Sequence, residues 1–440
     1  MASTKISRNM ASNSNSGKLT ISVWLKRNSL GEKNITTSYY NGAYHGNFYF
    51  NPSDQLSFYD YRNGYLMRRT TTRKFRDINA WYHIVANFDH TISSPTAQIW
   101  VNGEEITDFS NINNYSQGAT SSWLTDYQHD IGAYNTSYHH DGVMADYYFI
   151  QGYKYDASTF GETDATTGQW KPILNPTINY SSTGGNSCHL KFENSANMDL
   201  DSGDNNLTFT TSGTLTQTKD TPSNNFATLN SLTADCTLSN GSTTWVGTTS
   251  GYEHSSATLG ASSGKYYWEV KPNGACGAMG VTDFNWQFER RGSIIYASSG
   301  YAWVYEGNGY VSHDSYGDIA TNYSSYGSSD IIGVALDLDN NKLYFHKNGT
   351  YENSGDPTSG STGTGAISID APSTLPSGFY SPLVADLCSA TAGGGSVNFG
   401  NGYFGTTAIS SEGTNASGNG KFEYDVPTGY TALSTKGLNT

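Results

Sequence analysis

Residues 284–327, FNWQFERRGSIIYASSGYAWVYEGNGYVSHDSYGDIATNYSSYG, set large aromatic rings among Gly, Ser and Asn. Aromatic faces stack on the C–H surfaces of sugars, and Asn and Ser supply adaptable hydrogen bonds. The chemistry on offer is binding rather than bond cleavage. Trp286, Phe288, Tyr310, Tyr316, Tyr323 and Tyr326 are the candidate ligand-binding residues. Tyr301, Trp303 and Tyr305 alternate, as side chains on the buried face of a strand must. That alternation accounts for about half of the rings by core packing alone.

Catalysis finds little to work with. A glycan-cleaving site needs two carboxylates roughly 5–9 Å apart, one of them protonated. On a strand these would alternate, and no such run exists. Glu104, Glu105 and Asp108 follow a hairpin turn, where solvated charges are the rule. Glu269 in YYWEV has no second acid near it in sequence. No Gly-x-Ser-x-Gly elbow, His-Glu-x-x-His pair or phosphate-cradling glycine loop occurs. No catalytic residue is assigned, and the chain is read as non-enzymatic. A polysaccharide depolymerase is the alternative, and it would require a carboxylate pair brought together only by folding.

Calcium prefers oxygen ligands from loops. Asp337, Asp339, Asn340 and Asn341 form one oxygen-rich turn, and Asp141 beside His139 and His140 forms another. Both read first as Asx-turn devices. Ca²⁺ is the single cofactor these loops could hold, and no other is expected.

The net charge is −14, which repels phosphate backbones and argues against nucleic-acid binding. Against that background Arg62, Arg68, Arg69, Arg73, Lys74 and Arg76 form a local basic cluster. Outward-facing strand and loop positions explain it. The sharper reading is a docking patch for an acidic partner protein or an anionic sugar.

Strands must position these groups. Charged residues are only 14% of the 440, 48 are Gly and 33 are Tyr, a strand-and-turn composition with little room for exposed helices. Ile84, Ala86 and Phe88 alternate before Asn102-Gly103; Ile332, Val334, Leu336 and Leu338 alternate before Asn348-Gly349. An Asn-Gly pair flanked by alternation is a strong hairpin signal, because a type I′ turn needs positive φ at both central residues. One such pair in each half predicts two all-β sandwiches in tandem. The first spans 1–160, an extended connector 161–235, the second sandwich 236–402 and a C-terminal tail 403–440. The tail is expected to wrap a neighbour.

Cys188, Cys236, Cys276 and Cys388 show no Cys-x-x-Cys spacing, so buried free thiols are expected rather than zinc or a disulfide framework. MASTKISRNMASNSNSGKL lacks an apolar core segment, so no cleaved signal and synthesis in a cytoplasm are expected. No run approaches the ~20 apolar residues that cross a bilayer.

Residues 81–103 (WYHIVANFD…IWVNG) and 141–152 (DGVMADYYFIQG) resemble laminin-G-like, concanavalin A-like lectin domains. GKYYWEV, IGVALDLDNNKLYFHKNGT, YSPLVADL and VNFG resemble the blocks of a SPRY domain, itself a concanavalin A-like sandwich. The junction segments ISRNMASNSNSGKLTISVWLKRNSLGE, FGETDATTGQWKP, TPSNNFATLNSL and VPTGYTALSTKGL are similar to structural proteins of tailed, marine-type bacteriophages. This resemblance implies a virion component on the particle exterior, made in the host cytoplasm: a tail fibre, tail tip or head decoration. Its partners would be other virion proteins and a host-surface glycan, and it would be a homo-oligomer. Proteins of this kind usually begin with a further strand before the ISRN-like segment. That missing edge must come from the connector or from a neighbouring subunit.

Overall fold

Asn102 and Gly103 take φ of 51° and 83°, and Asn348 and Gly349 repeat this at 51° and 84°. Both turns are therefore type I′, with the twist that right-handed strands need. The computed structural model describes residues 4–11, 16–78, 80–166, 168–181, 184–249, 253–284, 301–313, 317–320, 322–388 and 390–439. The fold is all-β, in two units, Met1–Gln217 and Thr218–Thr440. No helix among the described residues is long and apolar enough to cross a membrane.

The first unit begins with strands β1 Lys5–Asn9, β2 Lys18–Arg27, β3 Lys33–Asn41, β4 Tyr44–Phe50, β5 Gln55–Arg62 and β6 Tyr65–Lys74. It continues with β7 Trp81–Asp89, β8 Thr96–Val101, β9 Glu104–Glu105, β10 Phe109–Asn113 and β11 Gln128–Ile131. β12 Gly142–Gln151, β13 Gly161–Thr163, β14 Trp170–Pro172, β15 Cys188–Leu190 and β16 Thr210–Ser212 complete it. One sheet runs β10-β6-β5-β4-β3-β11-β1-β16 and the other β15-β12-β2-β7-β8-β9. Leu19, Ile21, Val23 and Leu25 of β2 meet Phe48, Phe58 and Met67 of the opposite sheet in one core. Such burial is worth about 1.5–3 kcal/mol per large side chain.

Inside that core the buried carboxylate of Asp60 organises the loop beneath the sheet. It accepts from Tyr115 Oη at 2.7 Å, Ser121 Oγ at 2.6 Å and Ser122 N at 3.0 Å. Burial raises its pKa. Ser121 then caps the short turn that carries Trp123. The indole lies so close to Gly46 that a Cβ there would sit 2.4 Å from the ring, so only glycine fits.

The segment expected to be an extended connector is folded into the units. β16 pairs with β1, Ile6 opposite Thr211, and so supplies the edge strand from the same chain. The described residues of 153–180 lie over the outer face of the six-stranded sheet, where Tyr153, Tyr155, Phe160, Trp170 and Ile178 cluster with Val85, Trp100, Tyr148 and Ile150.

The second unit contains β17 Thr237–Ser239, β18 Thr244–Val246, β19 Glu253–Ser256, β20 Lys265–Pro272, β21 Gly277–Asp283 and β22 Ala302–Tyr305. Next come β23 Val311–His313, β24 Gly317–Ala320, β25 Ile332–Asp337, β26 Lys342–Lys347, β27 Thr350–Tyr351 and β28 Ile367–Ser368. The last are β29 Tyr380–Asp386, β30 Gly394–Asn398, β31 Tyr403–Phe404, β32 Thr407–Ala408 and β33 Thr431–Ala432. One sheet runs β17-β18-β30-β20-β25-β26-β27, and the other β19-β29-β21-β22-β23-β24. Trp268, Val334, Leu336 and Phe345 face Met279, Val281, Trp303 and Val384 across the core.

Two expectations are corrected here. The C-terminal tail packs on its own unit: β33 runs parallel to β20, and Phe422, Val426 and Tyr430 are buried against Tyr267 and Tyr344. Glu269 fastens it, accepting from the backbone N–H groups of Glu423 at 2.9 Å and Tyr424 at 2.8 Å. The cysteines are not all free either. Cys276 and Cys388 form a disulfide, while Cys188 and Cys236 remain buried thiols. The bonded pair lies just past Gly277 and Asp386, which face each other on adjacent strands. Their separation of 112 residues hides that neighbourhood from sequence spacing.

Candidate binding site

The aromatic stretch of the second unit does form a concave site, with different residues from those singled out by composition. β22 and β23 pair so that Trp303 stands directly opposite His313, with ring centroids 4.3 Å apart. These two rings line an open cleft of about 470 Å³, and Asn322, Asn353, Ser368 and Asp370 contribute to its walls. Tyr380 packs edge-on against Trp303 at 5.6 Å, and its hydroxyl donates to Asp370 O at 2.9 Å. Both rings are nearly covered, Trp303 3% and His313 8% exposed, so the surface a saccharide would meet is the exposed amide, hydroxyl and carboxylate rim. Asp370 is the one carboxylate among the described lining residues.

Of the six candidate ligand residues, Trp286, Phe288 and Tyr316 lie outside the described residues. Tyr310 is 37% exposed in the turn between β22 and β23. Tyr323 and Tyr326 are core side chains, 8% and 4% exposed. Both pack edge-on against Tyr305, and Tyr326 Oη donates to Gly277 O and Tyr305 O at 2.9 Å. Burial takes the Tyr326 ring out of a ligand's reach, while Tyr323 still borders the cleft. Their irregular spacing gave no sign of an inward face. Trp303 and Tyr305 face the core, as their alternation required. His313 was missed in the sequence, and its only signal there was its place opposite Trp303 across a turn.

The basic cluster separates onto different surfaces. Arg69 is not a docking residue: it lies opposite Phe58, points inward and donates from Nε to Ala97 O at 3.1 Å and from Nη1 to Asn113 O at 2.8 Å. Period-two alternation sends Arg68 the other way, with its guanidinium 4.6 Å from the Tyr65 ring centre. Arg62 covers Tyr44 at 5.1 Å and Arg73 covers Phe75 at 5.1 Å. Lys74 is exposed. Arg76 pairs with Asp54, which also holds the buried Arg27.

The oxygen-rich loops spend their ligands on the fold. Asp337 accepts from the N–H groups of Asp339 and Asn340 and pairs with Lys265 at 2.9 Å. Asp141 accepts from Ser29 Oγ at 2.6 Å. Among the described residues, no three His, Cys, Asp or Glu side chains converge on a common point.

A Ser–His contact does exist, with the wrong polarity for activating a nucleophile. Trp170 Nε1, which can only donate, reaches His83 Nδ1 at 3.0 Å. The remaining proton therefore sits on Nε2, which donates to Ser22 Oγ at 2.9 Å. Burial holds the His83 pKa down to about 3, and Trp24 stacks on its ring at 4.6 Å. This imidazole is structural.

Residues 2–152 match the family model of the concanavalin A-like lectin/glucanases superfamily, in its laminin-G form. The first unit carries a concanavalin A-like domain. No curated protein matches the chain in sequence. Similar solved structures include the SPRY domain of human HERC1, at 19% identity over 38% of this chain and 94% of that one, TM-score 0.30. A SAP-like pentraxin of Limulus polyphemus is similar at 10% identity over 34% and 70%, TM-score 0.26. Domain 4 of the arabinanase AbnA of Geobacillus stearothermophilus is similar at 12% identity over 31% and 61%, TM-score 0.25.

Proposed function

We propose that this chain is a non-enzymatic structural protein of a bacteriophage particle, displaying two lectin-like units on the virion exterior. It works there by adhesion to host-surface glycan or by decorating the particle alongside other virion proteins. The cleft carries the binding half of this reading: its exposed rim of Asn322, Asn353, Ser368 and Asp370 can hydrogen-bond a sugar, and among the described lining residues Asp370 is the one carboxylate, short of the acid pair that hydrolysis uses. The concanavalin A-like domain and the phage-like junction segments support the rest. Many copies on one particle would turn weak single-site contacts into avidity.

The test has two arms. Asp370→Ala with Asn322→Ala, both at exposed rim positions, should abolish glycan-array binding by the multimerised protein without changing its melting temperature. Antibody against the chain should label the outside of purified particles. Absence of the chain from particles would refute the virion assignment. Unchanged glycan binding in the double variant would refute the cleft.

A further inference from the structure

The two outer faces of the first unit are treated differently. Residues 153–180 seal one with apolar side chains. On the other, Tyr49 of β4, Tyr59 and Tyr61 of β5 and Arg68 of β6, which alternate with the core set Phe48, Phe58 and Met67, belong to no apolar cluster, while Leu66 of β6 packs on the core. Tyr49 and Tyr59 meet edge-on at 5.9 Å. Tyr65 stands perpendicular to both Tyr59 at 5.4 Å and Tyr61 at 5.3 Å. His45 continues the row, 5.1 Å from Tyr61. Steps of this size across the strands are comparable to the length of one pyranose residue.

Two charges bear on this face, the Glu32 carboxylate beside Tyr49 and the Arg68 guanidinium. Arg68 lies over Tyr65, and its Nε donates to Thr70 Oγ1 at 3.2 Å. Those two contacts fix the guanidinium plane, and among the described residues no carboxylate pairs with it. Its remaining N–H groups form a pre-oriented fork for a carboxylate. On a chain of net charge −14, such an arginine is an anion receptor that the protein itself leaves unfilled.

We propose that this face is a second saccharide site, independent of the cleft and of any virion role, and that it takes an acidic polysaccharide. Sugar rings lie along Tyr49, Tyr65 and Tyr61, with the buried Tyr59 packed edge-on against Tyr49 and Tyr65 to hold them, and a uronate carboxylate meets Arg68. The probes are a hexamer of 1→4-linked galacturonate and the same hexamer fully methyl-esterified, titrated calorimetrically into the full chain. The acid hexamer should bind, and more weakly at high ionic strength. Esterification or Arg68→Ala should each cost roughly tenfold or more, the worth of a charge-assisted hydrogen bond. Tyr65→Ala, at a 42% exposed position, should weaken both hexamers with the melting temperature unchanged. Asp370→Ala should change nothing here. Failure of the acid hexamer to bind, an unaltered affinity in Arg68→Ala, or loss of binding in Asp370→Ala would overturn the assignment.

Discussion

Gly277 and Asp386 are register partners on β21 and β29, and that pairing is what brings Cys276 to Cys388, with Cα atoms 5.3 Å apart. Cross-linking two points 112 residues apart removes much freedom from the unfolded chain, about 3–5 kcal/mol by loop-closure entropy. Reduction should therefore lower amide-exchange protection at Met279 and Val281. Protection at Ile84 and Phe88 in the first unit should not move.

Asp60 gives a second expectation. Asp60→Ala strands the Tyr115 and Ser121 hydroxyls and the Ser122 amide inside the core, at a cost of about 3 kcal/mol for the unpaired groups. Asp60→Asn keeps one acceptor oxygen and should cost less. Thermal or denaturant unfolding of the two variants measures the difference, and equal stabilities would show that Asp60 does not hold the Trp123 turn.

His129 makes the first unit sensitive to acid. It is buried between Trp123 and Phe149, and among the described residues neither ring nitrogen has a hydrogen-bond partner. Burial lowers its pKa from 6.5 to about 3. A folded-state pKa below the unfolded one means that the stability is fully present above pH 6.5 and is lost as pH falls from there toward 3. At a pH about 1.5 units below the unfolded value the loss is roughly 2 kcal/mol. His83 adds in the same direction, and Asp60, held above its ordinary value, opposes it. His129→Leu should match the wild type at neutral pH and exceed it increasingly on acidification. A gap that stays constant with pH would mean that His129 is not the titrating group.

Gly103 tests the hairpin chemistry. A Cβ there would meet the Trp170 ring at 2.6 Å and would sit on a backbone with φ of 83°. Gly103→Ala should cost about 1–3 kcal/mol. The same change at Gly31, where a Cβ meets open space, isolates the backbone share of that cost.

Much of this architecture was legible because local chemistry dictates it. Asn-Gly turns demand positive φ, and alternation at Ile84, Ala86 and Phe88 or at Ile332, Val334 and Leu336 demands one buried face. What stayed hidden depends on tertiary placement. Arg68 and Arg69 look alike in a basic run, yet adjacent positions on a strand point to opposite faces. Tyr323 and Tyr326 lie in irregular chain, where no period signals burial. Cys276 and Cys388 become neighbours only through strand pairing. The tail looked available to a neighbour because its anchor, Glu269, lies more than 150 residues upstream in the sequence. The row from Tyr49 to Tyr61 was visible residue by residue, but only the sheet register lines it up.

The central claim is recognition of glycan without cleavage. Incubating the multimerised protein with host capsule or lipopolysaccharide and following polymer size by light scattering reads both at once. The account predicts a complex that forms while polymer length stays constant; progressive shortening of the polymer would contradict it.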